Sequence, residues 1–210
     1  MIKGIIFDFW GTLVSNGVWS PIKQVKQKLD INLPFSEYVV RMERALMAEK
    51  FPSLKKAFEN VFMEFGIEEN EDLLNELIGM WNKNWMLAKP YEETEEVLEK
   101  LKKNYKLFLI SNTDSFSVEN IFNKYPLNNF FDRLFLSYQL NMIKTDKNFL
   151  KLVIDETGIP TEEMILVGDS MQSDIIMAKK LDIKAILIDR NDSRNYHQKI
   201  KNLQELFQHL

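Results

Sequence analysis

The sequence predicts an α/β protein: an open parallel sheet with a helical insertion after its first strand. Five short apolar runs, rich in Ile, Leu, Val and Phe, read as strands with little polar alternation. Continuous apolarity of that kind marks strands covered on both faces, as in a parallel sheet. From about residue 92 onward helical periodicities alternate with those runs, which is the signature of βαβ units. Residues 15–90 break the rhythm, because they carry helical patterns and no strand.

Taken in order, the strands are expected at Lys3–Phe9, Lys106–Ser111, Arg133–Ser137, Met164–Gly168 and Lys184–Ile188. Within the insertion a short helix runs from Val25 to Leu29, and Met42, Ala45 and Leu46 mark another. Ser53 opens a third, with Leu54, Ala57, Phe58, Val61, Phe62 and Phe65 on one face and Gly66 as its stop. Leu73, Leu77, Trp81 and Trp85 recur at steps of four, an aromatic stripe read as the insertion's own core rather than a ligand wall. Hinges are expected near Val14–Ser20 and Ala88–Tyr91, the second marked by Pro90. The chain thus divides into a core of residues 1–14 and 91–210 and an insertion of residues 15–90. In the core, Val97, Leu98 and Leu101 mark one helix, and Val118, Ile121 and Phe122 the next. Phe149, Leu150, Val153 and Ile154 mark a third that ends near Gly158, and Ile175, Ile176 and Ala178 begin a fourth. The polar stretch Asn191–Lys199 reads as solvated surface.

Composition excludes several function classes. A chain of 210 residues with 45% hydrophobic and 28% charged residues can bury a full core, so it is not a disordered protein. The net charge of −4 argues against nucleic-acid and anionic-membrane partners. There is no cysteine, which removes disulfides, thiolate ligands and thiol nucleophiles. No apolar stretch approaches the ~20 residues of a membrane span, and no apolar leader follows Met1. A cytoplasmic protein is expected.

Chemistry concentrates at the carboxyl ends of the strands, where open α/β sheets bind ligands. Asp8 ends the first strand beside Gly11 and Thr12; Ser111-Asn112 end the second; Lys144 follows the third; Gly168-Asp169 end the fourth, with Asp174 just beyond. Any one of these alone reads as a turn residue, a helix cap or a surface lysine. Their convergence on one edge of a sheet reads as an active site. Asp169 and Asp174 flank a short loop and suit a hard divalent cation. Asp114 reads as a helix cap or turn residue that could also touch the insertion or a substrate.

Asp8-Phe9-Trp10-Gly11-Thr12, Ser111-Asn112, Lys144 and Gly168-Asp169 with Asp174, in that order, resemble the four motifs of the haloacid dehalogenase-like (HAD) hydrolase superfamily. The resemblance runs from residue 3 to about residue 190. It implies a Rossmann-like core with a helical cap domain that closes over the site and selects small phosphorylated metabolites. By this resemblance Asp8 is the nucleophile, forming an aspartyl-phosphate, and Lys144 offsets the charge of the phosphoryl group. Ser111 and Asn112 are its substrate-binding residues, and Thr12 steadies the first loop. The implied cofactor is Mg²⁺, held by Asp8, the Trp10 backbone carbonyl and Asp169, with Asp174 acting through water or through the other ligands. Relatives usually place Pro after the lysine, where Thr145 stands here.

Trp10 is the departure that matters. Phosphatases of this superfamily usually carry an acid there to protonate the leaving oxygen, help of ~10²–10⁴-fold that an indole cannot supply. Substrates whose leaving group needs no proton, acyl or aryl phosphates, are one answer. A cap side chain reaching in is another, from among Arg41, Glu43, Glu49 and Lys50. A 2-haloacid dehalogenase, whose branch carries an aromatic residue at this position and uses no metal, is a third. A catalytically weak, phosphate-binding regulatory member is the fourth. The Gly168-Asp169 pair favours the metal-dependent phosphohydrolase.

Overall fold

The computed structural model describes residues 1–210. Its centre is a six-stranded, all-parallel sheet: β1 (Gly4–Asp8), β2 (Lys106–Ser111), β3 (Arg133–Leu136), β4 (Met164–Gly168), β5 (Lys184–Ile188) and β6 (Lys199–Ile200). The strand order is β3-β2-β1-β4-β5-β6. Alternate residues supply two separate apolar layers. Ile5, Phe7, Leu109 and Val167 face one, and Ile6, Phe108, Ile110 and Leu166 face the other. Burial on both faces is why these runs show no polar alternation.

β6 was not expected. The stretch Asn191–Lys199 is mostly exposed as predicted, yet Ile200, Leu203 and Leu206 return beneath the sheet, and Ile200 pairs with Ile188. Polar residues ahead of this short strand hid it. The other strands lie within a residue of their expected ends. Ser137 leaves β3 to start a one-turn helix, because its hydroxyl donates to the Thr113 carbonyl and accepts from the Thr113 amide.

The insertion folds as four helices: α1 (Pro21–Lys28), α2 (Phe35–Met47), α3 (Leu54–Phe65) and α4 (Glu71–Leu87). Ser53 caps α3 by accepting from the Lys56 amide at 3.2 Å, and Gly66 ends it at φ +64°. Asn70 caps α4, accepting from the Leu73 amide at 2.9 Å. The four helices bury their own cluster around Tyr38, Phe58, Phe62 and Leu77, joined from the sheet side by Phe116. The two linkers pair with each other: Val14 bridges Pro90, and the Ser15 amide donates to the Lys89 carbonyl at 2.9 Å. Gly17 presses on the end of α4 so closely that a Cβ there would overlap the Asn84 carbonyl and the Ala88 amide.

The remaining helices cover the sheet: α5 (Thr94–Lys102), α6 (Ser115–Lys124), α7 (Ser137–Leu140), α8 (Phe149–Thr157) and α9 (Ile176–Lys179). A wide, π-type turn over Met171–Ile175 leads into α9. The strand order reverses between β1 and β4, so a crevice opens above their carboxyl ends. No helix is long and apolar enough to cross a membrane.

Candidate active site

Asp8 is the last residue of β1 and is buried. The loop after it is tight: the amides of Leu13 and Val14 both donate back to the Phe9 carbonyl. Gly11 sits at φ +79°, and a Cβ there would lie 2.5 Å from Asp169 Oδ2, so glycine lets β1 and β4 bring their acids together. Thr12 Oγ1 donates to Asp8 Oδ2 at 2.9 Å, and Lys144 Nζ donates to Asp8 Oδ1 at 2.7 Å. Both oxygens of the carboxylate are thereby oriented.

Lys144 reaches the same point from the loop after α7, and its Nζ also lies 2.6 Å from Asp174 Oδ1. Burial opposes its charge, but Asp174 and Asp8 outweigh burial and hold its pKa above that of an ordinary lysine. Asp174 accepts from the Ser170 amide at 2.9 Å through its other oxygen, so both of its oxygens are engaged. Gly168 leaves room for that carboxylate, which a Cβ would strike. The Asp169 side chain, in contrast, has no hydrogen-bond donor from the protein and lines the cleft.

One oxygen from each of Asp8, Asp169 and Asp174 lies within 4.8 Å of the others. Burial first, and then the neighbouring carboxylates, push Asp169 and Asp174 above the usual carboxylate range. Three carboxylates against one ammonium leave an excess of negative charge in a half-dry pocket. This hard-oxygen set fits a divalent cation. The Trp10 carbonyl, beside it in the first loop, accepts none of the loop hydrogen bonds.

Ser111 and Asn112 fall at the end of β2 as expected, but they face differently. Ser111 is fully buried, its hydroxyl turned to the Asn112 carbonyl at 3.4 Å. Asn112 lines the cleft, and its side chain works in both directions: Oδ1 accepts from the Lys144 amide at 2.7 Å, and Nδ2 donates to Glu43 Oε2 at 2.7 Å. Trp10 lines the cleft too, its indole N–H directed at Thr113 Oγ1 at 3.2 Å. Thr145 is buried enough that its hydroxyl oxygen finds no partner.

The insert forms the other wall of this cavity of about 200 Å³, through Pro21, Phe35, Glu43, Met47 and Trp81. Of the four insert side chains considered from sequence, only Glu43 enters. Arg41 pairs with Glu64, Lys50 with Glu119, and Glu49 is exposed. Burial raises the Glu43 pKa to about 7, opposed by Lys144 and the Asn112 hydrogen bond and reinforced by Asp174 and Asp8. Trp81 corrects the reading of the aromatic stripe. It is buried against Phe58 in the insert's core, yet its N–H crosses to Asp114 Oδ2 at 2.9 Å and its ring lines the cleft. Trp85 packs against the sheet's cluster instead. Asp114 serves twice, since its Oδ1 caps α6 by accepting from the Ser117 amide at 2.8 Å.

Sequence reasoning missed two arginines that follow the carboxyl end of β5. Arg190 donates to the Thr12 carbonyl at 2.8 Å while paired with Glu93, and Arg194 donates to the Asp169 carbonyl. Arg194 stands in the polar, unpatterned stretch, and Arg190, two residues past β5, belongs to none of the motifs.

The chain matches the haloacid dehalogenase-like hydrolase family over residues 5–188. It belongs to that family. Among its relatives is the glyceraldehyde 3-phosphate phosphatase of Methanocaldococcus jannaschii, 26% identical over 219 aligned positions that cover 98% of this chain and 96% of that protein. Another is the D-ribitol-5-phosphate phosphatase of Bacteroides thetaiotaomicron, 28% identical over 195 positions, with coverage of 86% and 89%. The HAD-hydrolase YfnB of Bacillus subtilis, solved with magnesium, shares the fold at a TM-score of 0.68 and 17% identity, over 100% of this chain and 98% of that one. The chain is therefore a HAD-like hydrolase whose similar proteins include named phosphatases.

Proposed function

We propose that this HAD-like hydrolase is a Mg²⁺-dependent phosphohydrolase of small phosphorylated metabolites, working through an aspartyl-phosphate on Asp8. The observation that carries the reading is the pairing of a buried, oriented Asp8 with one ammonium at 2.7 Å and two further carboxylates within 4.8 Å. A carbon–halogen substrate needs no such cluster of acids, whereas a phosphoryl group needs cations to approach a carboxylate.

In the first step an Asp8 oxygen attacks phosphorus in line as the bond to the ester oxygen breaks. Water then attacks the same phosphorus, the bond to Asp8 breaks, and inorganic phosphate leaves. Lys144 offsets the phosphoryl charge, and Thr12 holds the Asp8 carboxylate in its attacking orientation. Asp8, Asp169 and the Trp10 carbonyl would hold the metal, with Asp174 ordering Lys144 and the loop after β4 beside them. When bound, Mg²⁺ neutralises charge on the phosphoryl oxygens. Residues 15–90 act as a cap whose closure excludes water and bulky substrates.

A cavity of about 200 Å³ with many polar lining groups suits a short phosphorylated aldose or polyol, the class named for the two curated relatives. The test is a panel of phosphate monoesters with and without Mg²⁺, beside Asp8→Asn. Metal-dependent release of phosphate that Asp8→Asn abolishes is expected. Equal rates in excess EDTA overturn the metal, and metal-free chloride release from a 2-haloacid overturns the phosphoryl chemistry. Phosphate binding without turnover would identify a regulatory member instead.

A further inference from the structure

We propose that Glu43, carried on cap helix α2, is the acid that protonates the leaving oxygen and the base that then activates water, replacing the acid that Trp10 displaces. The inference rests on the phosphohydrolase reading above and names the residue that completes it.

Four carboxylates line the cleft: Asp8, Glu43, Asp114 and Asp169. Asp8 is the nucleophile. Asp169 faces the cation position, and Asp114 is bonded through one oxygen to the Ser117 amide and through the other to Trp81. Glu43 alone has no other task. Its Oε2 takes the Asn112 amide, and its Oε1 has no partner in the protein. Trp10 cannot serve, because indole N–H is not an acid near neutral pH and is directed at Thr113.

Position argues the same way. In-line displacement puts the leaving oxygen opposite Asp8, on the side of the phosphorus that faces the cap. The water of the second step enters from that side as well. One group on the cap wall can therefore give a proton in the first step and take one in the second. The proton moves from Glu43 to the ester oxygen, releasing an alcohol. It is restored from the attacking water as the Asp8–phosphorus bond breaks.

Two contacts hold Glu43 in place. Asn112 joins it to the backbone of Lys144, at 2.7 Å on each side. The neighbouring Arg44 pairs with Asp146, whose Oδ2 also accepts the Ile143 amide at 2.9 Å and so braces the Lys144 loop. The groups that act on Glu43 are Lys144 from the loop after α7, Asp8 from β1, Asp174 from the turn after β4, and the Asn112 amide from the end of β2. Together with burial they set its pKa at about 7, where a group that alternates between acid and base works best.

The test compares two esters, glycerol 1-phosphate and 4-nitrophenyl phosphate, on wild type, Glu43→Gln and Glu43→Asp with Mg²⁺. Glu43→Gln is expected to lose about 10²–10⁴-fold on the alkyl ester, whose alkoxide needs a proton. With the aryl ester it should release one equivalent of nitrophenolate in a burst and then stall, with phosphate trapped on Asp8. Glu43→Asp should recover part of the alkyl turnover. Unchanged alkyl turnover in Glu43→Gln overturns the proposal. So does an equal loss on both esters without a burst, which is the mark of a residue that only positions substrate. A wild type silent on both esters sinks the phosphohydrolase reading and this one together.

Discussion

The sheet edge and the helical insert build opposite walls of one cleft by different means. On the sheet, the polar groups of the cleft stand at strand ends: Asp8 closing β1, Asn112 after β2 and Asp169 after β4. The ladder fixes their spacing, and glycines at 11 and 168 let the carboxylates close up. The insert has its own apolar cluster and meets the sheet side through polar contacts, Glu43–Asn112, Arg44–Asp146, Lys50–Glu119 and Trp81–Asp114, and through two apolar ones, Phe116 on the insert's cluster and Trp85 on the sheet's. Only the paired linkers join the two covalently. A rigid edge thus holds Asp8, while a separately packed wall supplies the side chains across the cleft from it. On the proposed mechanism, the sheet edge sets the geometry of attack and the insert meets the leaving group.

That contrast can be broken at graded cost. Asp8→Asn should leave the fold intact and remove turnover by at least about 10³-fold, with no phosphoenzyme on acid quench, because nucleophile losses are among the largest known. Lys144→Ala should be costly in a second way. It leaves Asp8 and Asp174 buried without their counter-charge, and urea unfolding should show a loss of about 3–5 kcal/mol.

The cap wall should respond in the opposite sense at Glu43. Its pKa rises from 4.5 to about 7 on folding, so the folded state holds this proton more tightly than the unfolded chain. Stability from this group is therefore lost as pH rises from about 4.5 through 7, and it stays lost above that. Glu43→Gln carries no such penalty. In EDTA its melting temperature should gain on wild type between pH 5 and pH 8, so that a variant losing activity is the more stable protein at alkaline pH.

The latches are smaller. Trp81→Phe keeps an aromatic ring but removes the indole N–H and strands Asp114 Oδ2, costing about 1–3 kcal/mol by denaturant titration and raising KM if the insert closes on substrate as proposed. Arg44→Ala removes an ion pair whose arginine is half exposed, so its stability effect should stay within about 1 kcal/mol. Its KM effect should fade as salt rises. If Arg44→Ala instead matched Trp81→Phe in size, the two walls would be one rigid body and the contrast would fail.

Much of the sheet edge was legible in advance because strand-end chemistry is local. A carboxylate that ends an apolar run and precedes glycine points to the carboxyl edge of a sheet whatever follows it in sequence. The wall opposite was not legible, since helix periodicity says which residues are apolar and not what a polar neighbour meets. Glu43 between Met42 and Arg44 and Glu49 between Ala48 and Lys50 each have an apolar residue before and a basic one after, yet one is in the cleft and the other in solvent. Trp81 lay on a stripe that served both the insert's core and the cleft. Arg194 came from a stretch with no period at all, and Arg190 from a strand end that matched no motif.

By itself, then, the sequence determined the parallel sheet, the helical insert and the set of acids and lysine that meet at one edge, because period and strand-end position encode them. Only the tertiary structure decided which insert residues line the cleft with Asp8, since that depends on how two separately packed bodies dock. Asn112 shows the reason in a single side chain. Its oxygen holds the Lys144 loop and its nitrogen holds Glu43, a contact spanning residues 43, 112 and 144 that no local pattern records.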